Sequence, residues 1–361
     1  LKPSKRVAQQ LDSTLNLCRE LYNAALQERR DAYRTTGKSV SYFDQALQLP
    51  EIKVERADVS AIHSQVLQDV LRRIDRTYSA FFLRCLKGQN PGFPRFKSRD
   101  RYHSFTYPQT GFKLVGNKLS LSKIGSVRLR LSRPVEGRIK TCTIKKQVDG
   151  WFCVFAVEEN QCPFIPRTGE AAGLDVGIES FATLSTGEVI ENPRYLRKAE
   201  RELKIAQRKV SKKKRGGRNR KKAVRVLAKK HLKVANQRRD FFHKTANQII
   251  RGFDCVAVED LNIAGLVKNP SLAKGISDAA WGTFIQILSN KAACAGRRVL
   301  KVPAAFTSQD CSRCGERVKK SLAVREHRCI GCDLVIHRDH NAAINILGRA
   351  DRLVRVNTVT R

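Results

Sequence analysis

Apolar residues recur at helical spacing through the first ninety positions. Leu11, Leu15, Cys18, Leu21, Tyr22, Ala25 and Leu26 predict an amphipathic helix from about Lys5 to Thr35. Val59, Ile62, Val66, Val70, Ile74, Tyr78, Phe81 and Phe82 trace a second run that ends near Gly88, and Gly37 and Pro50 bracket a short segment, Tyr42 to Leu49. These pieces form a helical module whose Arg29, Arg30, Arg72, Arg73 and Arg76 are candidates to face an anionic partner. The period then changes. Asn90-Pro91-Gly92-Phe93-Pro94-Arg95-Phe96-Lys97 breaks the helix, and short alternating runs follow at 104–107, 112–115, 118–121, 127–131, 139–145 and 151–157. Gly116-Asn117, Gly125, Pro134, Gly137 and Asp149-Gly150 separate them, which predicts an antiparallel sheet. Lys and Arg alternate with aromatic residues along it, a pattern suited to nucleic acid.

Pro163 to Gly169 reads as a linker. Gly173 to Ile178 opens a new domain as a strand carrying Asp175, with Phe181 to Leu184 returning as its hairpin partner. From Pro193 to Phe253 the chain is helical and crowded with positive charge. Gly216-Gly217 reverses it within Ser211-Lys212-Lys213-Lys214-Arg215-Gly216-Gly217-Arg218-Asn219-Arg220. The resulting helical hairpin has Leu203, Val210, Val224, Leu227, Val234, Phe242 and Ile249 among its apolar contacts. Cys255 to Val258 is a buried strand ending on Glu259, 265–275 a loop, 276–297 a helix and Arg298 to Val302 another strand. A helix over 342–347 and a basic, weakly periodic tail after Leu347, open to a short terminal helix, complete the chain.

Charge narrows the function. Lys and Arg number 70 against 33 Asp and Glu in 361 residues, a formal net charge of +37. Such a chain repels itself without a polyanion, so RNA or DNA is the expected partner. No apolar run is long enough to span a bilayer and no secretory signal is evident, so a membrane partner is not expected. The 11 cysteines are odd in number; Cys18, Cys85, Cys142, Cys153, Cys162, Cys255 and Cys294 are scattered and read mostly as buried thiols of a reducing compartment. A cytoplasmic location in a cell without a nucleus, or a DNA-containing compartment otherwise, is the expectation. Methionine is absent even at position 1, so the chain is expected to begin after the true start.

The remaining cysteines form a pattern. Cys311-Ser312-Arg313-Cys314 and Cys329-Ile330-Gly331-Cys332 are paired knuckles, each offering two thiolates from one turn, and together they close a tetrahedral zinc shell. With no open position that zinc is structural, and it would hold a loop-rich insert that has no core of its own. His327 is near enough in sequence to be weighed as a ligand. Three acids stand beside short apolar runs: Asp175, Glu259, and Asp339 in His337-Arg338-Asp339-His340-Asn341, where it could instead cap a helix. Carboxylates converging on a pair of Mg2+ or Mn2+ ions would suit phosphodiester hydrolysis, and Glu179, Asp260, Asp278 and Asp310 are alternative donors. No HExxH, Walker A or dinucleotide fingerprint occurs, and no Ser, His and Asp set stands out.

Several of these stretches together resemble the transposon-encoded TnpB (OrfB) family, relatives of the type V CRISPR effector nucleases. They are 173–177, 258–261, Ile276-Ser277-Asp278-Ala279-Ala280-Trp281-Gly282, Thr307 to Gly315, and 338–346; further forward, Cys18-Arg19-Glu20-Leu21-Tyr22-Asn23 and Gly92-Phe93-Pro94-Arg95-Phe96-Lys97 extend the likeness over nearly the whole chain. The resemblance implies an α/β RNase H-like (RuvC) nuclease core with an inserted zinc ribbon, plus a β-barrel wedge domain and a helical recognition module. Residues 1–90 would be the recognition module, 91–168 the wedge, 169–306 the nuclease domain with its basic hairpin, 307–335 the ribbon, and 336–361 the end of the nuclease domain and a basic tail. It implies an RNA-guided DNA endonuclease that takes its guide from the transposon end and cuts matching double-stranded DNA beside a short flanking motif. In that likeness Asp175, Glu259 and Asp339 bind Mg2+, and Cys311, Cys314, Cys329 and Cys332 bind Zn2+. Some relatives lack the acids and act as guided repressors, whereas all three are present here. In that family a short strand completes the wedge barrel ahead of the position of Leu1-Lys2-Pro3. Arg95, Lys97, Lys212, Lys213, Lys214, Arg215, Arg218 and Arg220 are the expected phosphate contacts, in a prokaryotic cytoplasm and on the nucleoid during action.

Overall fold

The computed structural model describes residues 1–158, 165–321 and 324–359, with side chains of the last helix described through Arg352. The chain folds as two compact units, Leu1–Asn160 and Gln161–Arg361.

In the first unit five helices precede six strands: α1 (Lys5–Thr36), α2 (Tyr42–Leu47), α3 (Leu49–Glu55), α4 (Ala57–Ser60) and α5 (Ser64–Leu86), then β1 (Ser104–Tyr107), β2 (Phe112–Val115), β3 (Lys118–Leu121), β4 (Gly125–Arg128), β5 (Arg138–Gln147) and β6 (Gly150–Glu158). Helix α1 starts where the Ser4 hydroxyl accepts from the Val7 amide and stops at Gly37, whose left-handed φ of 68° lets its amide reach the Tyr33 carbonyl. Leu11, Cys18 and Leu26 of α1 pack with Leu67, Val70 and Ile74 of α5, and the same core takes in Phe105, Leu119 and Ile144 from the strands. The strands divide into two three-stranded antiparallel sheets, β1-β5-β6 and β2-β3-β4, with no ladder joining them among the described residues. Strand β4 gives out at Arg128, earlier than the alternation at 127–131 predicts; Leu129 and Leu131 still pack on the core from beyond it.

The second unit is built on a five-stranded sheet of β7 (Ala171–Val176), β8 (Ser180–Leu184), β9 (Val189–Glu191), β10 (Cys255–Glu259) and β11 (Arg298–Val302), in the order β11-β10-β7-β8-β9. The hairpin partners β7, β8 and β9 are antiparallel, while β10 runs parallel to both β7 and β11. Between β9 and β10 lie the basic hairpin helices α6 (Tyr195–Ser211) and α7 (Arg218–Gly252). α8 (Ile263–Leu266), α9 (Pro270–Ala279) and α10 (Trp281–Cys294) separate β10 from β11, and the short antiparallel pair β12 (Glu326–Arg328) and β13 (Val335–His337) leads into α11 (Arg338–Val359).

Strand alternation gives the sheet two differently used faces. Ala172, Leu174, Val256 and Val258 join Phe242, Ala246 and Ile249 of α7 and Phe284 and Leu288 of α10 in one core. Ala257 and Val302 point the other way, onto Ile346 and Ala350 of α11.

Three expectations need correction. The loop expected at 265–275 is mostly helix: Asn269 accepts from the Ser271 amide and Pro270 occupies the first turn of α9. Gly275, the last residue of that expected loop, lies inside α9, where a Cβ would press within 2.9 Å of Ile178. The helix expected over 276–297 is broken at Ala280, whose φ of 50° ends α9 and starts α10. The C-terminal helix and tail are one helix, α11, and β9 was not anticipated.

Candidate active site and metal centre

Register places two of the acids side by side. Leu174 of β7 pairs with Val258 of the parallel strand β10, so Asp175 and Glu259, one residue further on each strand, occupy equivalent positions at neighbouring C-terminal ends. Both lie one residue beyond the core-facing Leu174 and Val258, hence on the face that α11 covers. Gly173 shares that face, and a Cβ on it would collide with the Ala343 carbonyl oxygen and stand 2.8 Å from the Leu347 amide. The helix backbone therefore lies directly on β7 at Gly173. Asp339 is one turn before Ala343, as Asp175 is two strand residues after Gly173, so this contact carries the third carboxylate toward the first two. A Cβ on Gly177 would stand 3.9 Å from Asp339 Oδ2, and the Gly177 carbonyl accepts from Trp281 Nε1 at 3.2 Å. Asp339 is buried as the second residue of α11 and is gripped by the Arg338 guanidinium at 3.1 Å, so it does not cap the helix.

The charges oppose one another. Burial, then the carboxylates of Glu259 and Asp339, push the Asp175 pKa well up, against the pull of Arg338. Burial also raises that of Glu259, while the Thr307 hydroxyl, donating to Oε1, and Arg349 counter the rise. Asp175, whose ionisation the other two carboxylates oppose, forms with them a hard-oxygen donor set suited to a divalent cation, whose charge would relieve that repulsion. The four alternative acids are engaged elsewhere. Glu179 pairs with Arg325 at 2.8 Å, and Asp260 with Lys301 at 2.9 Å. Asp278 accepts from the Leu196 and Arg197 amides and from Arg238, which fixes the start of α6. Asp310 is held between Arg317 and Arg349.

The thiols of Cys311, Cys314, Cys329 and Cys332 all lie within 4.8 Å of one another, a four-sulfur set suited to tetrahedral zinc. His327 is fully buried outside that set, with Nδ1 against Lys320 Nζ. Sequence reasoning missed the groups that tie this cluster to the acids. Asn341, fully buried, accepts from the Ser312 amide at 2.9 Å and donates to the Asp310 carbonyl at 2.8 Å. One turn on, Asn345 donates to the carbonyls of Thr307 and Asp310. Thr307 in turn holds Glu259. The available signal was two amides spaced i, i+4 within the apolar run Asn341-Ala342-Ala343-Ile344-Asn345.

Among the remaining cysteines, Cys18 and Cys142 are buried as expected, Cys153 and Cys255 are half-buried, and Cys85 and Cys294 are exposed near helix ends; Cys162 lies outside the described residues. Of the expected phosphate contacts, Arg95, Lys212, Lys213, Lys214, Arg215 and Arg218 are exposed. The backbone of Lys97 is locked to the Asn23 amide in both directions. Arg220 is folded back, donating to the Val210 carbonyl at 2.9 Å where α6 ends. Arg29 and Arg73 also turn inward, Arg29 to Gln45 and Asp75, and Arg73 to Asp69 and the carbonyl of Ser104. Val224 of the hairpin is exposed, and Ala206 takes a buried place there.

A protein of Streptomyces pristinaespiralis, provisionally named an RNA-guided DNA endonuclease, is 38% identical over 354 residues, covering 96% of this chain and 86% of its own. The chain belongs to the TnpB (OrfB) family. InsQ of Escherichia coli strain K12, given the same provisional name, is 31% identical over 96% of this chain and 90% of its own. Family descriptions match in three places: OrfB_IS605, "Probable transposase", over 154–270; the "Cas12f1-like, TNB domain" over 281–346, which contains the four-cysteine cluster; and an OrfB_IS605 "Helix-turn-helix domain" over 1–38. That last stretch is α1 with the turn at Gly37, a single helix rather than two. The fold is similar to that in a structure of a Cas12f1–sgRNA–target DNA complex, with a TM-score of 0.60 at 15% identity over 95% of this chain and 83% of that one. No helix among the described residues is long and apolar enough to cross a membrane.

Proposed function

We propose that this TnpB-family chain is a metal-dependent, RNA-guided DNA endonuclease, encoded by a transposon, that cuts DNA complementary to its guide beside a short flanking motif. The observation that carries the reading is the convergence of Asp175, Glu259 and Asp339 from two parallel strand ends and one helix start. In this reading the second unit is the RuvC-like nuclease domain, interrupted by the ribbon at 307–335, and the first supplies the helical recognition module and the β-barrel wedge. Asp175, Glu259 and Asp339 would hold Mg2+ or Mn2+, and the four thiolates one structural Zn2+. When bound, the divalent ions activate water and stabilise the leaving 3′ oxygen of the phosphodiester.

The chain's own residues supply placement. Thr307 fixes one oxygen of Glu259, Arg338 holds Asp339, and the α11 contact at Gly173 brings helix and strand to the same point. The exposed cations of the α6–α7 hairpin and Arg95 would meet phosphates of the guide RNA or the target duplex, so base pairing reads sequence while the protein reads shape. The test is sequencing of the RNA that copurifies with the chain, followed by incubation of that complex with matched duplex DNA and Mg2+. A discrete RNA and cutting that Asp175→Ala abolishes are expected. Specific binding without cutting would make the chain a guided DNA-binding repressor instead, and no discrete RNA would reject guidance.

A further inference from the structure

A cavity of about 560 Å3 in the first unit, between α1 and α5, has no role in the function just described. That is the size of a small-ligand pocket. Its walls are aromatic: the Tyr78 and Phe82 rings are stacked at 6.2 Å, and Phe93 stands edge-on to Tyr78 at 6.1 Å. Phe82 and Phe93 are 57% and 50% exposed. Arg29 also lines the cavity and is only 7% exposed. Its Nε donates to Gln45 at 2.9 Å and one terminal nitrogen to Asp75 at 3.2 Å, but the other terminal nitrogen, also buried, has no partner among the described residues. That nitrogen is sealed from solvent, so Arg29 braces the wall and offers the cavity no donor. The Arg30 guanidinium lies over Phe93 at 5.8 Å and Phe96 at 5.2 Å, adding a cation beside the rings.

Flat, exposed rings to stack on and an adjoining positive charge describe the recognition of a base together with its phosphate. We propose that this cavity takes a single unpaired base extruded from an RNA or DNA strand, its ring against Phe82 and Phe93 and its phosphate beside Arg30. A second copy of this chain is the poorer occupant, because it would bring Arg30 and the rest of a +37 chain against the same charges. The proposal rests on nucleic-acid binding by the chain, though not on cleavage.

The test uses fluorescent RNA hairpins carrying one bulged guanosine, the same hairpins with 2-aminopurine or an abasic residue there, and their DNA counterparts, titrated with the full chain at several salt concentrations. The guanosine hairpin is expected to bind roughly tenfold more tightly than the abasic one. Phe82→Ala and Phe93→Ala, at open positions, should remove that difference and leave the salt dependence intact. Arg30→Gln should weaken binding of the guanosine hairpin more than of the abasic one, and 2-aminopurine, which stacks equally well, should bind like guanosine. The strand type that shows the base effect identifies the natural source. Equal affinity for guanosine and abasic hairpins, with a normal salt dependence, overturns the pocket alone. No salt-dependent binding of any hairpin overturns both the pocket and the nucleic-acid reading. A concentration-dependent dimer dissociated by Phe82→Ala assigns the patch to self-association and overturns the proposal.

Discussion

Gly173 of β7 has no room for a side chain because the Ala343 carbonyl of α11 occupies the space a Cβ would need. Two residues along the strand is Asp175, and one turn back along the helix is Asp339. This tight strand–helix approach therefore also sets the distance between two of the three acids. Gly173→Ala is expected to push α11 off the sheet, destabilise the unit by about 1–3 kcal/mol and abolish cleavage while leaving guide binding in place. Thermal melting and a cleavage assay on the same preparation check both effects; full activity in a normally stable variant would refute the geometric link.

The raised pKa of Asp175 gives a pH prediction. A carboxyl whose folded pKa lies above its unfolded value binds more protons when folded, so its contribution to stability falls as pH rises from the ordinary carboxylate range through the raised value. Asp175→Asn removes that penalty. In chelator, the variant should gain melting temperature over the wild type as pH increases across this window, and the gap should narrow when Mn2+ is added to the wild type. It should also lose cleavage at every pH. A gap independent of pH would mean that neither burial nor the other two carboxylates raise the Asp175 pKa.

Much of this arrangement is legible in sequence, and the reasons for the rest are physical. Asp175 and Glu259 end apolar runs, so their strands predict themselves, and the tight Cys-x-x-Cys spacing announces a metal. The basic hairpin is equally plain, but whether each cation faces solvent is not, because Arg220 satisfies α6 carbonyls that only the folded turn presents to it. The loop expected at 265–275 fails at Gly275, since a glycine inside a helix for the sake of a neighbouring isoleucine looks the same in sequence as one that ends a loop. Thr307, Asn341 and Asn345 were missed because their partners are mostly backbone carbonyls and amides, which leave no trace in residue type.

Those missed residues predict that the four-cysteine segment and the acids are mechanically joined. Thr307 contacts Glu259, and its own carbonyl is held by Asn345. Removing a group that orients a metal ligand commonly costs 10–100-fold in metal affinity or activity. Thr307→Val should raise the Mn2+ concentration needed for half-maximal cleavage roughly tenfold without altering zinc content. Unchanged Mn2+ dependence would leave Thr307 with no part in the site.

Cys311→Ser acts by a different route. Losing one thiolate of four should lower bound zinc, measured by atomic emission, and lower the melting temperature together, since metal binding supplies folding free energy to an insert with little core of its own. Damage to cleavage should follow the loss of fold, so activity is retained at low temperature where the variant remains folded. A variant with full stability and no zinc would show that the ribbon folds without it.

The hairpin separates charges that bind from charges that fold. Lys212, Lys213, Lys214, Arg215 and Arg218 are exposed around the turn, whereas Arg220 donates to the Val210 and Lys213 carbonyls. Removing one cation that pairs with a phosphate should reduce the slope of log affinity against log salt by about 0.9 on duplex DNA. Replacing Lys213 and Arg215 by Gln should therefore flatten the slope by about two such steps and leave melting unchanged. Arg220→Gln should do the reverse: the slope stays, and the uncapped end of α6 lowers the melting temperature, because two backbone carbonyls are deprived of a charged donor. If Arg220→Gln flattens the slope as much as the exposed pair does, its side chain leaves α6 when nucleic acid binds, and it belongs with the phosphate-binding cations after all.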